Sequence, residues 1–176
     1  MKEKKLLGIV LLILTLTACK SESLEEAIKK DIPFNVERVV YTEKVKDGVV
    51  VLYITEQETI EAMAVAFIKK DKKNRWENAG NNHWDYKENP NMTTYMNTFY
   101  DYDETGSLEN RIPIIYGRIV NDKILTVQVA GETKQYEDAK IITSGGSEYF
   151  IKIGDYSMAR GLDSAGEVIE EYIQKK

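Results

Sequence analysis

The chain has 176 residues, of which 43% are hydrophobic and 30% are charged. This length and composition are typical of one ordinary domain or of two very small ones. The formal net charge of −5 disfavours a nucleic-acid-binding protein, which normally presents a basic face. One cysteine excludes an internal disulfide, and one cysteine with one histidine leaves too few ligands for a zinc site. No cofactor is expected.

The N-terminal segment has the pattern of an export signal. Lys2, Lys4 and Lys5 precede an apolar run over residues 6–18. That run matches the core of a signal peptide, and it is shorter than the roughly 20 apolar residues that a membrane-spanning helix needs. We therefore predict that residues 1–18 are a signal peptide.

The end of this run, Leu16-Thr17-Ala18-Cys19, resembles the lipobox of bacterial lipoproteins. The resemblance implies cleavage between Ala18 and Cys19 and attachment of a thioether-linked diacylglycerol to Cys19, with fatty acyl chains such as palmitate. Two acyl chains anchor a protein stably, because each buried CH₂ contributes about 0.8 kcal/mol. The expected location is the outer face of the cell membrane. The alternative is a free thiol that follows an ordinary signal peptide.

Removal of residues 1–18 takes away three lysines and one glutamate, so the formal net charge changes from −5 to −7. This charge is expected to repel an anionic membrane surface. Only five of the 24 cationic residues are arginines, and this lysine bias without a disulfide resembles proteins exported by Gram-positive bacteria such as bacilli. The arginines are Arg38, Arg75, Arg111, Arg118 and Arg160.

Residues 19–35 are predicted to form the lipidated N-terminus and one short helix. Ser23 followed by Glu26 matches a capping box, and an apolar stripe begins at Leu24. The helix is predicted over residues 23–31, because the residue before Pro33 disfavours helical backbone. It is expected to lie as a lid on the sheet that follows.

From residue 36 onward the pattern indicates short antiparallel strands. An Asp-Gly pair at residues 47–48, between two runs of β-branched residues, is a strong hairpin signal. The Ala-rich run at residues 60–69 is compatible with a strand that is helical in part. The predicted strands of this half cover residues 36–45, 49–55, 60–69, 75–78 and 93–102.

The second half continues in the same style and resembles the immunoglobulin-like modules of exported bacterial proteins, with a recurring final hairpin at residues 162–169. The predicted strands cover residues 112–120, 123–129, 134–143, 148–153, 158–162 and 168–173. We predict a mostly β fold, an antiparallel β-sandwich or barrel-like structure. Two small packed β subdomains are expected, at residues 36–105 and 106–176, with a boundary in the acidic stretch 101–110.

One acidic segment resembles the beginning of an EF-hand loop. Asp101, Asp103 and Thr105 would be ligands, and Glu109 would act through water. The twelfth position, where a bidentate Glu is required, is Ile112. We therefore expect no metal here and interpret the segment as a solvated turn, with a weak Ca²⁺ site as the alternative.

The single histidine limits the possible catalytic chemistry. Asp85 lies close enough in sequence to orient His83, but no nucleophile motif accompanies the pair. A surface histidine is the simpler interpretation. Paired carboxylates of a glycosidase need no histidine, so a small enzyme acting on wall glycan remains an alternative.

Residues 76–102 contain seven of the seventeen aromatic residues, interleaved with asparagines. Aromatic faces beside amide groups suit a sugar or an extended peptide, although the same residues also fill cores and turns. The ligand-binding candidates are Asn82, His83, Trp84 and Tyr86.

The sequence therefore predicts an exported, lipid-anchored protein that acts as a non-catalytic binding or accessory module at the cell envelope. Its partners are expected to be the membrane, through the anchor at Cys19, and an envelope protein or glycan, with no nucleic acid. Two alternatives stay open: the small wall-glycan enzyme, and an inhibitor or immunity-type lipoprotein that binds a protein partner.

Overall fold

A computed structural model describes residues 23–57, 60–83 and 85–174. The predicted signal peptide and the lipidation residue Cys19 lie outside this part of the chain. Within it, no helix combines the length and apolarity that crossing a membrane requires.

The predicted helix is present as α1, Leu24–Asp31. The Ser23 hydroxyl accepts a hydrogen bond from the Glu26 N–H at 3.1 Å, which caps the first turn as the sequence predicted. The helix ends where Ile32, before Pro33, adopts extended backbone. Ala27 and Ile28 are buried against the neighbouring sheet, so α1 is the expected lid.

The strands form three antiparallel four-stranded sheets, which we name A, B and C. Sheet A has the order β1-β2-β3-β4, with the strands Arg38–Val45, Gly48–Gln57, Ile60–Lys70 and Trp76–Asn81. Sheet B has the order β5-β6-β10-β9, with β5 Tyr95–Tyr102, β6 Leu108–Ile119, β9 Lys140–Ser144 and β10 Ser147–Ile153. Sheet C has the order β12-β11-β7-β8, with β7 Thr126–Ala130, β8 Tyr136–Asp138, β11 Met158–Leu162 and β12 Val168–Ile173.

The sheets stack in layers in the order α1, A, B, C. One core lies between α1 and sheet A, where Ala64 and Ala66 leave room for the helix. A second core lies between sheets A and B and includes Val65 and Phe67, whose side chains point to the opposite face of β3. A third core joins sheets B and C. Each sheet keeps two edge strands, so the described strands form a sandwich of layers rather than a barrel.

Two of the predicted strands differ from the sequence-based expectations. The run at residues 60–69 is strand throughout, because β3 is an inner strand covered on both faces. The expected strand 134–143 is two short strands, because the chain crosses from sheet C to sheet B near Ala139. The expected boundary between residues 105 and 106 lies in the turn between β5 and β6, which pair in one sheet. Sheet B and the A–B core therefore continue across that position.

Candidate functional site

At one end of the A–B interface the two sheets separate and leave a cleft of about 690 Å³. Sheet A contributes residues from the adjoining ends of β2 and β3, and sheet B contributes residues from β5, β6 and β10. The segment of residues 85–93 between β4 and β5 forms the remaining wall. The lining residues used below are Glu61, Met63, Asp85, Tyr86, Tyr95, Arg118 and Tyr149.

Asp85 is fixed in the wall of the cleft by its backbone. Its N–H donates to the Met63 carbonyl at 2.7 Å, and its carbonyl accepts from the Met63 N–H at 3.0 Å. This short bridge extends the edge of β3 beyond β4. The carboxylate atom Oδ2 accepts hydrogen bonds from Tyr116 Oη at 2.5 Å and from Asn82 Nδ2 at 2.8 Å. Burial raises the pKa of Asp85, while these two hydrogen bonds act in the opposite direction.

Asn82 belongs to the same internal network. Its Oδ1 accepts from the Val65 N–H at 2.7 Å, and its Nδ2 donates to Tyr116 Oη at 2.8 Å as well as to Asp85. Burial, together with the nearby Asp85 carboxylate, raises the pKa of Tyr116 well above its ordinary value. The polar groups of Asn82 are thus occupied by the fold itself, and its role is to hold Asp85 and Tyr116 in position.

Tyrosine rings provide most of the aromatic surface of the cleft. Tyr95 is partly buried, and its ring centroid lies 5.7 Å from that of Tyr116. Tyr86 is 48% exposed and donates a hydrogen bond to Glu88 at 3.1 Å. Tyr149 is fully buried at the back of the cleft. The Tyr86 ring is thus accessible to a ligand, whereas the rings of Tyr95 and Tyr149 are fixed by packing.

Glu61 of β3 and Arg118 of β6 also line the cleft, and Arg38, the first residue of β1, lies behind them within reach of Glu61. Arg38 donates to Ser144 Oγ at 3.1 Å and to Tyr149 Oη at 3.3 Å. Arg118 donates to Ser147 Oγ at 2.8 Å. The Glu61 carboxylate lies 3.5 Å from Arg38 and 3.8 Å from Arg118. We name Arg38 and Arg118 the arginine pair. Glu61 is the carboxylate that the pair shares.

The four ligand-binding candidates from the sequence have different positions. Trp84 lies outside the described residues. Tyr86 lines the cleft, as a binding residue would. His83 is exposed and packs its ring edge-on against Phe34, with centroids 6.2 Å apart. Asn82 is occupied in the network described above.

Sequence reasoning missed Tyr95, Arg118 and Tyr149, which come from three strands of sheet B. The pairing of these strands brings the residues together, and no spacing within one segment encodes it. The one available signal in the sequence was that arginines are few relative to lysines. Each arginine is therefore a candidate for a specific role, because arginine suits bidentate recognition of carboxylates.

The acidic segment of residues 101–109 is occupied by internal contacts. Asp101 is 5% exposed and its carboxylate lies 2.5 Å from Lys69 Nζ. Asp103 Oδ1 accepts from the Thr105 hydroxyl at 2.6 Å and from the Thr105 and Ser107 N–H groups at 2.8 Å. The Thr105 hydroxyl bond is the largest cause that lowers the pKa of Asp103. Glu109 is exposed.

This arrangement closes a β-hairpin, and it recurs in the turn after β11. Asp163 Oδ1 accepts from the N–H groups of Ala165 and Glu167, at 2.8 and 2.9 Å. In the described ranges, no group of three or more His, Cys, Asp or Glu side chains is placed to hold a metal ion.

Comparison of the chain with protein-family models, with curated proteins and with solved structures finds no match in any of the three.

Proposed function

We propose that this protein is an exported lipoprotein of the cell envelope that binds a small polar ligand in the A–B cleft without transforming it. The cleft carries the proposal, because it combines an accessible tyrosine with fixed polar and charged groups in one concave site of about 690 Å³. Ligand sites of small molecules have this character and this size. A wall sugar is the ligand class that we favour, since sugar rings stack on aromatic faces and bond to planar polar groups.

The anchor is tested by the replacement Cys19→Ala. Cys19 is the only thiol of the chain, so the variant should lose all acylation. Cells that express the wild type or the variant are fed a clickable fatty acid, and the protein is isolated and scored for label. Label on the wild type and none on Cys19→Ala supports the lipobox assignment, and label on the variant refutes it.

The ligand site is tested with two exposed tyrosines. Tyr86 lines the cleft, whereas Tyr102 is 54% exposed at the end of β5 and lies outside it. The full-length protein in detergent is titrated with soluble wall fragments released by a muramidase, and binding is followed by ligand-observed NMR. Tyr86→Ala should weaken binding about tenfold or more, as loss of a stacking ring does. Tyr102→Ala should bind as the wild type does, and equal binding by both variants would overturn the assignment of the cleft.

A second candidate is a carboxylate enzyme that acts on wall glycan, and one observation favours it. Asp85 lies in the cleft with a raised pKa, as a general acid requires. Its Oδ2 already accepts two hydrogen bonds from the fold, which supports a positioning role instead. Release of new reducing ends from purified wall glycan, lost in Asp85→Asn, would establish the enzyme.

A further inference from the structure

We infer that the ligand of the cleft carries a carboxylate group, that Arg38 and Arg118 bind this group, and that Glu61 occupies its place when the cleft is empty. This inference rests on the proposed binding function and names the chemistry of the ligand. It follows from the geometry of the arginine pair, from the single carboxylate that the pair shares, and from the presence of Arg118 and Glu61 in the lining of the cleft.

The geometry brings the two guanidinium groups together from different sheets. Arg38 begins β1 of sheet A, and Arg118 lies near the end of β6 of sheet B. The Arg38 guanidinium is held by Ser144, by Tyr149 Oη, and by contact with the turn at Gly145, where an added Cβ would lie 2.2 Å from its Nη1. Both arginines are therefore positioned by uncharged hydroxyl groups before any ligand arrives.

The charges of this site do not balance. Among the described residues, Arg38 and Arg118 share the single carboxylate of Glu61, at N–O distances of 3.5 and 3.8 Å. These distances exceed the 2.7–2.9 Å or so of strong charge-assisted hydrogen bonds. Two other arginines have a carboxylate at shorter distance, Arg75 with Asp71 at 2.9 Å and Arg111 with Asp155 at 2.5 Å, whereas Arg160 bonds to the neutral amide of Gln128 at 2.7 Å. Within the described residues, Arg38 and Arg118 thus share one carboxylate at long distance, and of the two arginines Arg118 lines the cleft.

The Glu61 carboxylate can be displaced from its place beside the two guanidinium groups. Its side chain is 53% exposed, so it can turn into solvent at little cost. The side chain of Arg38 is only 27% exposed and cannot follow it easily. A ligand carboxylate that enters between the two guanidinium groups would gain bidentate geometry that Glu61 does not reach.

The position of the pair agrees with this function. Glu61, Arg118 and Tyr149 all line the cleft that Tyr86 borders. A ligand that stacks on Tyr86 can therefore extend an acidic group toward the arginines. Among wall components, this chemistry is offered by a sugar with an acidic substituent or by the C-terminal carboxylate of a short peptide.

The test uses two sugars that differ in one acidic substituent. The full-length protein in detergent is titrated with N-acetylmuramic acid and with N-acetylglucosamine, and dissociation constants are measured by NMR. N-acetyl-D-alanyl-D-alanine serves as a third probe, to identify a peptide carboxylate as the source. We expect the carboxylate probe to bind about tenfold more tightly than the neutral sugar, as a charge-assisted hydrogen-bond pair allows.

Two variants should change this preference in opposite directions. Arg118→Gln should abolish the advantage of the carboxylate probe, while Glu61→Gln should raise its affinity, because the internal competitor is lost. Arg111→Gln removes a charge from an ion pair that does not line the cleft and should leave both affinities unchanged. The opposite sign of the Glu61→Gln effect separates ligand recognition from a loss of folding.

The outcomes distinguish the two proposals. The carboxylate subsite is wrong, and the binding cleft stands, if three results are found together. Both sugars bind with equal affinity, their affinity falls in Tyr86→Ala, and their affinity is unchanged in Arg118→Gln and Glu61→Gln. If no probe binds, or binding is indifferent to Tyr86→Ala, the binding cleft and the subsite are both wrong.

Discussion

The two ends of the A–B interface are built from the same strands but differ in what fills them. At the closed end, Phe67 and Phe99 stack with centroids 6.2 Å apart, and the Lys69–Asp101 ion pair lies beside them. At the open end, four to six residues away along β3 and β5, Met63 and Tyr95 line a cleft. One interface thus combines a ring-filled core around Phe67 and Phe99 with the cleft at Met63 and Tyr95.

The difference between the two ends comes from side-chain chemistry and not from the strand pairing. Large apolar rings fill the space between the sheets at the closed end. At the open end, the Asn82–Asp85–Tyr116 network satisfies its own polar groups and joins the sheet A side of the interface to β6 of sheet B by hydrogen bonds. Buried polar groups that bond to one another cost little to keep, so they provide a stable wall for a cleft.

The largest effect is expected from Phe67→Ala at the closed end. Phe67 is 1% exposed, and its loss should lower the free energy of unfolding by about 3–5 kcal/mol. Urea unfolding followed by circular dichroism measures this change. Tyr102→Ala, on the outside of sheet B, should change it by less than about 0.5 kcal/mol. A small loss for Phe67→Ala would show that the closed end is not the main core.

The second-largest loss in the free energy of unfolding is expected from Gly117→Ala, close to the open end. An added Cβ would lie 1.9 Å from the carbonyl oxygen of Thr93 and 2.4 Å from the Phe150 ring. Such overpacking costs about 1–3 kcal/mol, and displacement of Thr93 should also weaken ligand binding in the cleft that it lines.

The control is Gly106→Ala, where no atom lies within 4 Å of the added Cβ and only the positive φ of 81° opposes the change. Gly106→Ala should be the less destabilising of the two in the same urea experiment, and it should leave binding intact. The reverse order would contradict the close contact at Gly117.

These two ends also show what a sequence can predict. The hairpin turns were predictable because turn chemistry is local: Asp47, Gly145 and Gly166 have the positive φ values that their residue types favour. The helix cap at Ser23 was predictable for the same reason. The cleft was not, because Arg38 and Arg118 are brought together by sheets whose stacking no local pattern encodes. Asn82 was assigned to a ligand site because it lies among aromatic residues in the sequence, whereas two of its partners, Val65 and Tyr116, are distant in sequence.

An effect of intermediate size is expected from pH. The pKa of Asp85 is raised above its ordinary value of 3.8, so the unfolded chain ionises this group first. Wild-type stability therefore falls, relative to Asp85→Asn, as the pH rises from below 3.8 through the folded pKa of Asp85. The difference in melting temperature between the two proteins should move in favour of Asp85→Asn from pH 3 to pH 6. A shift in favour of the wild type would contradict the raised pKa.

The smallest effect is expected from Ca²⁺. Asp101 pairs with Lys69 and Asp103 caps its own turn, so neither carboxylate is available to a cation without loss of a contact. Thermal melts in millimolar Ca²⁺ and in chelator should agree within about 1 °C. A stabilisation of several degrees by Ca²⁺, absent in Asp103→Asn, would show that the acidic segment is a metal site.

The most direct test of the open end as a binding site is an NMR map of the ligand. The full-length protein, labelled with ¹⁵N, is titrated with N-acetylmuramic acid, and the shifts of the backbone amides are followed. We expect the largest shifts to cluster at residues of the open end, including Met63, Tyr86, Thr93 and Arg118. Shifts that cluster at the closed end or on sheet C, with these residues unchanged, would contradict this expectation.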